Sequence, residues 1–119
     1  MALVTKYNYE TYEYEPVPGT EDFVRVHGEY GGGYDWESFD AFYSPSARRY
    51  FWYSDSGCSC YGPMEAVDSI GDFSVGSRED LLRAWNDWAT PDEDYGRAPA
   101  DKIDGAQKIR RFEEAATNG

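Results

Sequence analysis

From Asp22 to Tyr30 the run DFVRVHGEY sets Val24 and Val26 on one side of an extended chain and Phe23, Arg25 and His27 on the other, the period-two alternation of a half-buried strand. Gly31, Gly32 and Gly33 supply the loop of a wide hairpin, and YDWESFDAFYS returns from it. In the return strand Tyr34, Trp36, Ser38, Asp40 and Phe42 share one face, while Asp35, Glu37, Phe39, Ala41 and Tyr43 share the other. Neither face is plainly polar, so either both are covered or a bulge shifts the register. SPSA turns the chain, and RRYFWYS makes the clearest strand of the sequence, with β-favouring aromatics from Tyr50 to Tyr53. DSGCSCYGP closes that strand as a tight, glycine-bounded loop. Val67, Ile70, Phe73 and Val75 then anchor a short strand or an irregular crossing.

The period changes at Ser77. Ser77 caps a helix with Asp80 at its third position, a weaker form of the Glu or Gln capping-box partner, and Leu81, Leu82, Trp85, Trp88 and Ala89 follow at helical spacing. The pattern predicts a helix over 77–89. Thr90, Pro91 and Glu93 repeat the logic and predict a short helical turn. After a break between Gly96 and Pro99, Ile103, Ala106, Ile109, Phe112 and Ala116 predict a last helix over 99–116. Gly105 weakens that helix by roughly 0.8 to 1 kcal/mol relative to alanine. Its place there calls for close packing, against the sheet or the Trp85 helix.

Ahead of these elements stands YNYETYEYEP. Tyr7 and Tyr9 alternate with polar residues, as do Tyr12 and Tyr14, but the step from Tyr9 to Tyr12 is three and turns the second pair to the opposite face unless a bulge near Glu10 or Thr11 restores the register. Pro16, Pro18 and Gly19 end the segment. Residues 1–21 therefore read as an edge strand with a Pro/Gly turn. Strands first and helices last make an α+β fold: an antiparallel, aromatic-rich sheet of about four to five strands followed by two packed helices, with the short helical turn between them.

The 119 residues suit one domain, and 18% aromatic residues are more than a disordered acidic tail carries. Asp and Glu number 23 against 11 Lys and Arg, a formal charge of -12 that repels phosphate backbones and disfavours direct nucleic-acid binding. Two cysteines make no disulfide framework, and an intracellular, reducing setting is the default for them. Met1 is followed by ALVTKYNY, without a basic or long apolar leader, and no run approaches the length of a membrane span. A soluble, cytoplasmic protein is expected, with no membrane partner.

Among candidate chemistries, Cys58 and Cys60 are the most enzyme-like. With His27, the only histidine, they could hold a soft metal or make a thiol nucleophile and its base, but a closed zinc site wants four ligands. The spacing is neither a redox Cys-x-x-Cys nor a zinc-finger pair, and inert cysteines in a turn are the leading reading. GEYGGGYDW lacks the Lys and Ser or Thr of a phosphate loop and is bordered by Glu29, Asp35 and Glu37. No calcium-loop succession occurs. No cofactor is expected.

Two surfaces point to binding. The stretch from Glu65 to Asp94 carries nine acids against Arg78 and Arg83, a net of -7, with Glu79, Asp80 and Asp87 on the helix and Asp92, Glu93 and Asp94 just beyond it. Such an array could imitate a phosphate backbone; its bland counterpart is a solvated helix face. The aromatic candidates are Tyr7, Tyr9, Tyr12, Tyr14, Tyr50, Trp52 and the neighbouring Arg49, residue types enriched at interface centres. An N-terminal edge strand could also pair with a second copy or with a target.

YFWYSDSGCSCYGPMEAV, together with GGGYDWESFDAFY, resembles an uncharacterised family of small acidic proteins encoded by bacteriophages of actinobacteria, over roughly residues 22–89. The family brings no catalytic residues to transfer. The resemblance implies a viral accessory protein in the bacterial host cytoplasm, acting on a host factor. The leading expectation is a non-catalytic domain that binds a host or phage protein. Other expectations are a nucleic-acid mimic, a small metal- or thiol-dependent enzyme, and a virion or assembly component.

Overall fold

The aromatic run from Tyr50 to Tyr53 sits inside an antiparallel sheet, and the computed structural model describes this architecture over residues 2–32, 34–90 and 99–118, with side chains described over 2–32, 34–90 and 101–116. Four strands, β3 (Val24–Gly32), β4 (Trp36–Ser44), β5 (Arg49–Gly57) and β6 (Ser74–Gly76), pair in that order. Ahead of them, β1 (Thr5–Asn8) and β2 (Glu13–Pro16) form a separate two-stranded sheet. The expected single edge strand is therefore a hairpin, and no bulge is needed in it. The helices are α1 (Arg78–Trp88), α2 (Pro99–Arg111) and a short α3 (Glu114–Asn118). The helical turn expected at Thr90 to Glu93 extends beyond the described residues.

The poor amphipathicity of β4 comes from burial on both of its faces. A register shift does occur, but in β3, between Arg25 and His27. Phe39, Ala41, Tyr43 and Tyr50 pack under Leu81 and Trp85 of α1 and Ala106 and Ile109 of α2. Phe42 and Phe51, on the reverse face, join Phe23, Phe73, Val67 and the hairpin-base residues Val4 and Val17 in a second cluster. The register shift lets both Val26 and His27 lie against the helix side, where strict alternation separates them: Val26 packs on the first cluster, and the His27 ring stands edge-on to Trp85 at 4.7 Å.

Helix α1 starts as its sequence demands. The Ser77 hydroxyl accepts from the Asp80 N–H, and the Asp80 carboxylate accepts from the Ser77 N–H, a reciprocal cap. Gly105 lets α2 approach so closely that a Cβ there would overlap the Trp85 ring, and the indole N–H donates to the Lys102 carbonyl at 2.9 Å. The last helix does not run unbroken to residue 116. Arg78 Nη1 donates to the carbonyls of Ile109 (3.1 Å) and Arg110 (2.7 Å), satisfying the end of α2, while Arg78 Nη2 pairs with Glu114 at 3.1 Å. Capture of both groups by one guanidinium favours the break at Phe112 and Glu113.

Candidate functional site: the tyrosine hairpin

Asn8 organises the turn that folds YNYETYEYEP back on itself. Its Oδ1 accepts from the backbone N–H groups of Glu10 (2.8 Å) and Thr11 (3.3 Å), and its carbonyl accepts from the Tyr12 N–H at 2.8 Å. Tyr12 closes the turn in the left-handed region, at φ 61°. Asn8 Nδ2 also donates to Glu15 at 3.0 Å, tying the turn to the second strand.

This register sets Tyr7 directly opposite Tyr14. The two rings stack at 5.1 Å, and Tyr9 leans onto Tyr7 at 4.9 Å, so three tyrosines form one aromatic cluster. Tyr7 is half-buried beneath the other two. Tyr9, Tyr12 and Tyr14 are 80%, 78% and 72% exposed, values that place them outward rather than in a core. Glu10, Glu13 and Glu15 are exposed among them. The hairpin is held to the body at its base: Val4 and Val17 are buried, Val17 N–H donates to the Val4 carbonyl at 3.1 Å, and Lys6 pairs with Asp68. Between hairpin and body, Lys6, Tyr7, Tyr9, Glu15 and Asp68 line an open cleft of about 520 Å³.

The other sequence-selected aromatics do not join this platform. Tyr50 is 2% exposed, a core residue and not an outer contact, because its ring lies under α1 and α2. Its hydroxyl donates to Glu114 at 2.5 Å; burial, then that bond, push the phenol far above its ordinary range, while the same bond and Arg78 lower the carboxyl. Trp52 is half-buried against the same cluster. Arg49 is exposed at the start of β5, near Tyr50 in sequence and away from the hairpin tyrosines in the sheet order.

The acidic stretch is partly consumed by local structure. Asp72 accepts from the N–H groups of Asp68 and Ser69, Asp80 caps α1 and pairs with Arg83, Asp68 pairs with Lys6, and Glu65 accepts from the Gly62 N–H. Backbone hydrogen bonds hold the Asp72 and Asp80 carboxyls below their ordinary range. Glu79 and Asp87 are exposed along α1. Asp92, Glu93 and Asp94 lie outside the described residues.

Cys58 and Cys60 are bonded to each other rather than left as free thiols. The Trp36 indole N–H donates to the carbonyls of Cys58 (2.8 Å) and Tyr61 (3.0 Å), which fixes their loop on the end of the sheet. His27 pairs through Ala41 with Trp52, five positions from the Gly57 end of β5, roughly 17 Å along the strand. Among the described residues, no three His, Cys, Asp or Glu side chains are grouped to hold a metal, so His27 does not complete a site with the cysteines. His27 is instead buried beside Glu29 at 3.8 Å, and burial followed by Lys108 depresses its pKa. No helix among the described residues is long and apolar enough to cross a membrane.

Sequence comparison extends over nearly all of this architecture. The chain belongs to the family described as Domain of unknown function (DUF7574), which matches residues 5–115, from the first hairpin strand into α3. No curated protein and no solved structure matches the chain.

Proposed function

We propose that this member of the family is a non-catalytic interaction domain that docks on a protein partner through the tyrosine hairpin. The observation that carries the reading is the exposure of Tyr9, Tyr12 and Tyr14 on a turn already fixed by Asn8. Preordered tyrosines offer large contact area with little rotamer entropy left to lose, the property that makes them interface anchors. Glu10, Glu13 and Glu15 ring the cluster and favour a partner with basic groups. The resemblance to proteins of actinobacterial phages makes a host cytoplasmic protein the proposed partner, and modulation of that protein the proposed consequence.

The hairpin strands pair only with each other among the described residues, which supports self-association as a second reading. Nucleic-acid mimicry has less support, because Asp68, Asp72 and Asp80 already serve the fold.

Affinity capture from an actinobacterial lysate tests the proposal, with an unrelated protein of equal negative charge as control and a Tyr9→Ser/Tyr14→Ser variant alongside. One partner retained by the native chain, absent from the charge control and lost from the variant is the expected result. A partner retained equally by the variant, or none at all, overturns the docking assignment; concentration-dependent dimerisation abolished by the variant would replace it with self-association.

A further inference from the structure

The reverse face of the sheet is not packed along its whole length. Beyond the Phe42 and Phe51 cluster, β3 and β4 floor a groove of about 280 Å³, with Pro63 and Met64 on its wall. Tyr30 stands opposite Ser38 and Gly28 opposite Asp40 across the strand pair. Ser38 is 1% exposed, and its Oγ is buried with no hydrogen-bond partner among the described residues, although it lines the groove. A buried hydroxyl is costly until something bonds to it, so an occupant that does so is favoured.

Gly28 shapes the same floor. Its missing side chain makes room for the Arg25 guanidinium, which lies over the Phe42 ring at 5.0 Å and donates from Nη1 to Asp40 Oδ1 at 2.9 Å. The pair cancels its own charge while leaving further N–H donors on Arg25 and a second acceptor oxygen on Asp40. Donor, acceptor and a hydroxyl able to do both thus line one small groove, and Tyr30, Pro63 and Met64 supply apolar walls.

We propose that this groove is a binding site for a neutral primary amide carried on an apolar body, its N–H groups donating to Asp40 or Ser38 and its carbonyl accepting from Arg25. A carboxylate would meet Asp40 and the acidic field of a chain charged -12, whereas an amidinium carries no acceptor atom and leaves the free Arg25 N–H groups unpaired. The volume matches a fragment-sized molecule or one side chain rather than a folded surface. The amide can belong to a free small molecule or to a glutamine side chain of a peptide.

The test is a nuclear magnetic resonance titration of the labelled full chain with benzamide and, separately, with N-acetylglutamine methylamide, using benzoate and benzamidine as charged isosteres. Saturable shifts confined to the amides of Gly28, Tyr30, Ser38 and Met64, weakened about ten-fold by Ser38→Ala and at least several-fold for both charged probes, are the expected result. Tighter binding of benzamide than of the blocked glutamine assigns the site to a free molecule, and the reverse order assigns it to a peptide. Ser38→Ala removes a buried hydroxyl without adding volume, and its spectrum reports whether the fold is kept. Absence of saturation with either amide, or equal binding by the variant and by all four probes, overturns the site and leaves Ser38 to an ordinary buried water.

Discussion

Tyr9 has little burial to lose, so its side chain separates docking from folding. Tyr9→Ser should lower the unfolding free energy measured in urea by no more than about 1 kcal/mol, the size of its contact with the Tyr7 ring. The same change should weaken partner binding about ten-fold, or ~1.4 kcal/mol, by titration calorimetry. Unchanged stability with unchanged binding would remove Tyr9 from the interface.

His27 makes a second residue-scale prediction. The edge of its ring meets Trp85, and Glu29, Lys108 and Asp104 are its charged neighbours. Because burial lowers the folded-state pKa below 6.5, the unfolded chain binds the proton first, and stability present above that value is lost as pH falls through and below it. Glu29 has the opposite sign: burial, then Asp101, raise its pKa above 4.5, so its contribution is lost as pH rises through the raised value. The difference in urea midpoint between native chain and His27→Gln, measured from about pH 7.5 to 5.5, should shift against the native chain as pH falls. A constant difference would place the His27 proton uptake elsewhere.

Helix packing turns on one position. Alanine at Gly105 gains helix propensity of about 0.8 to 1 kcal/mol, yet its methyl group would enter the Trp85 ring, and overpacking costs about 1 to 3 kcal/mol. Gly105→Ala should therefore destabilise in urea; a stabilised variant would show that α2 slides off Trp85 at little cost. Ser77→Ala should cost about 1 kcal/mol by loss of the reciprocal cap, read from the same midpoint.

These elements also show where the sequence was legible. Ser77 and Asp80 could be read because a cap is contained within four residues, and the need of Gly105 for a close neighbour followed from propensity alone. The hairpin escaped because its turn depends on the Asn8 side chain and on a left-handed Tyr12, a conformation that tyrosine does not advertise. Asn8, placed just before Glu10 and Thr11, was the signal that could have found it. The β3 register shift and the two-sided burial of β4 depend on which elements arrive over each face, a long-range property that period-two counting does not carry. The Ser38 groove was likewise invisible, since it joins Arg25 to loop residues Pro63 and Met64 far along the chain.

At the scale of the whole molecule, the charge of -12 is divided between structural use and open surface. Asp72 and Asp80 bond to backbone amides, whereas Glu79 and Asp87 stand exposed on α1 with the tyrosine hairpin on a different sheet. A Glu79→Lys/Asp87→Lys variant should thus slow association at low salt by about three-fold or less, while the hairpin variant acts mainly on dissociation. A stopped-flow comparison at about 50 and 300 mM salt checks this; a loss from the helix variant exceeding that of the hairpin variant would move the interface to α1.

The central claim, that the tyrosine hairpin touches the partner, is tested most directly by photo-crosslinking. A benzophenone amino acid is placed at position 9 in one preparation and at position 34 in another, both tyrosines nearly four-fifths exposed in the native chain but on separate sheets or their loops. After irradiation in an actinobacterial lysate, a discrete partner crosslinked from position 9 and not from position 34 is the predicted result. Crosslinking from position 34 alone, or equally from both, would contradict the assignment of the hairpin as the docking surface.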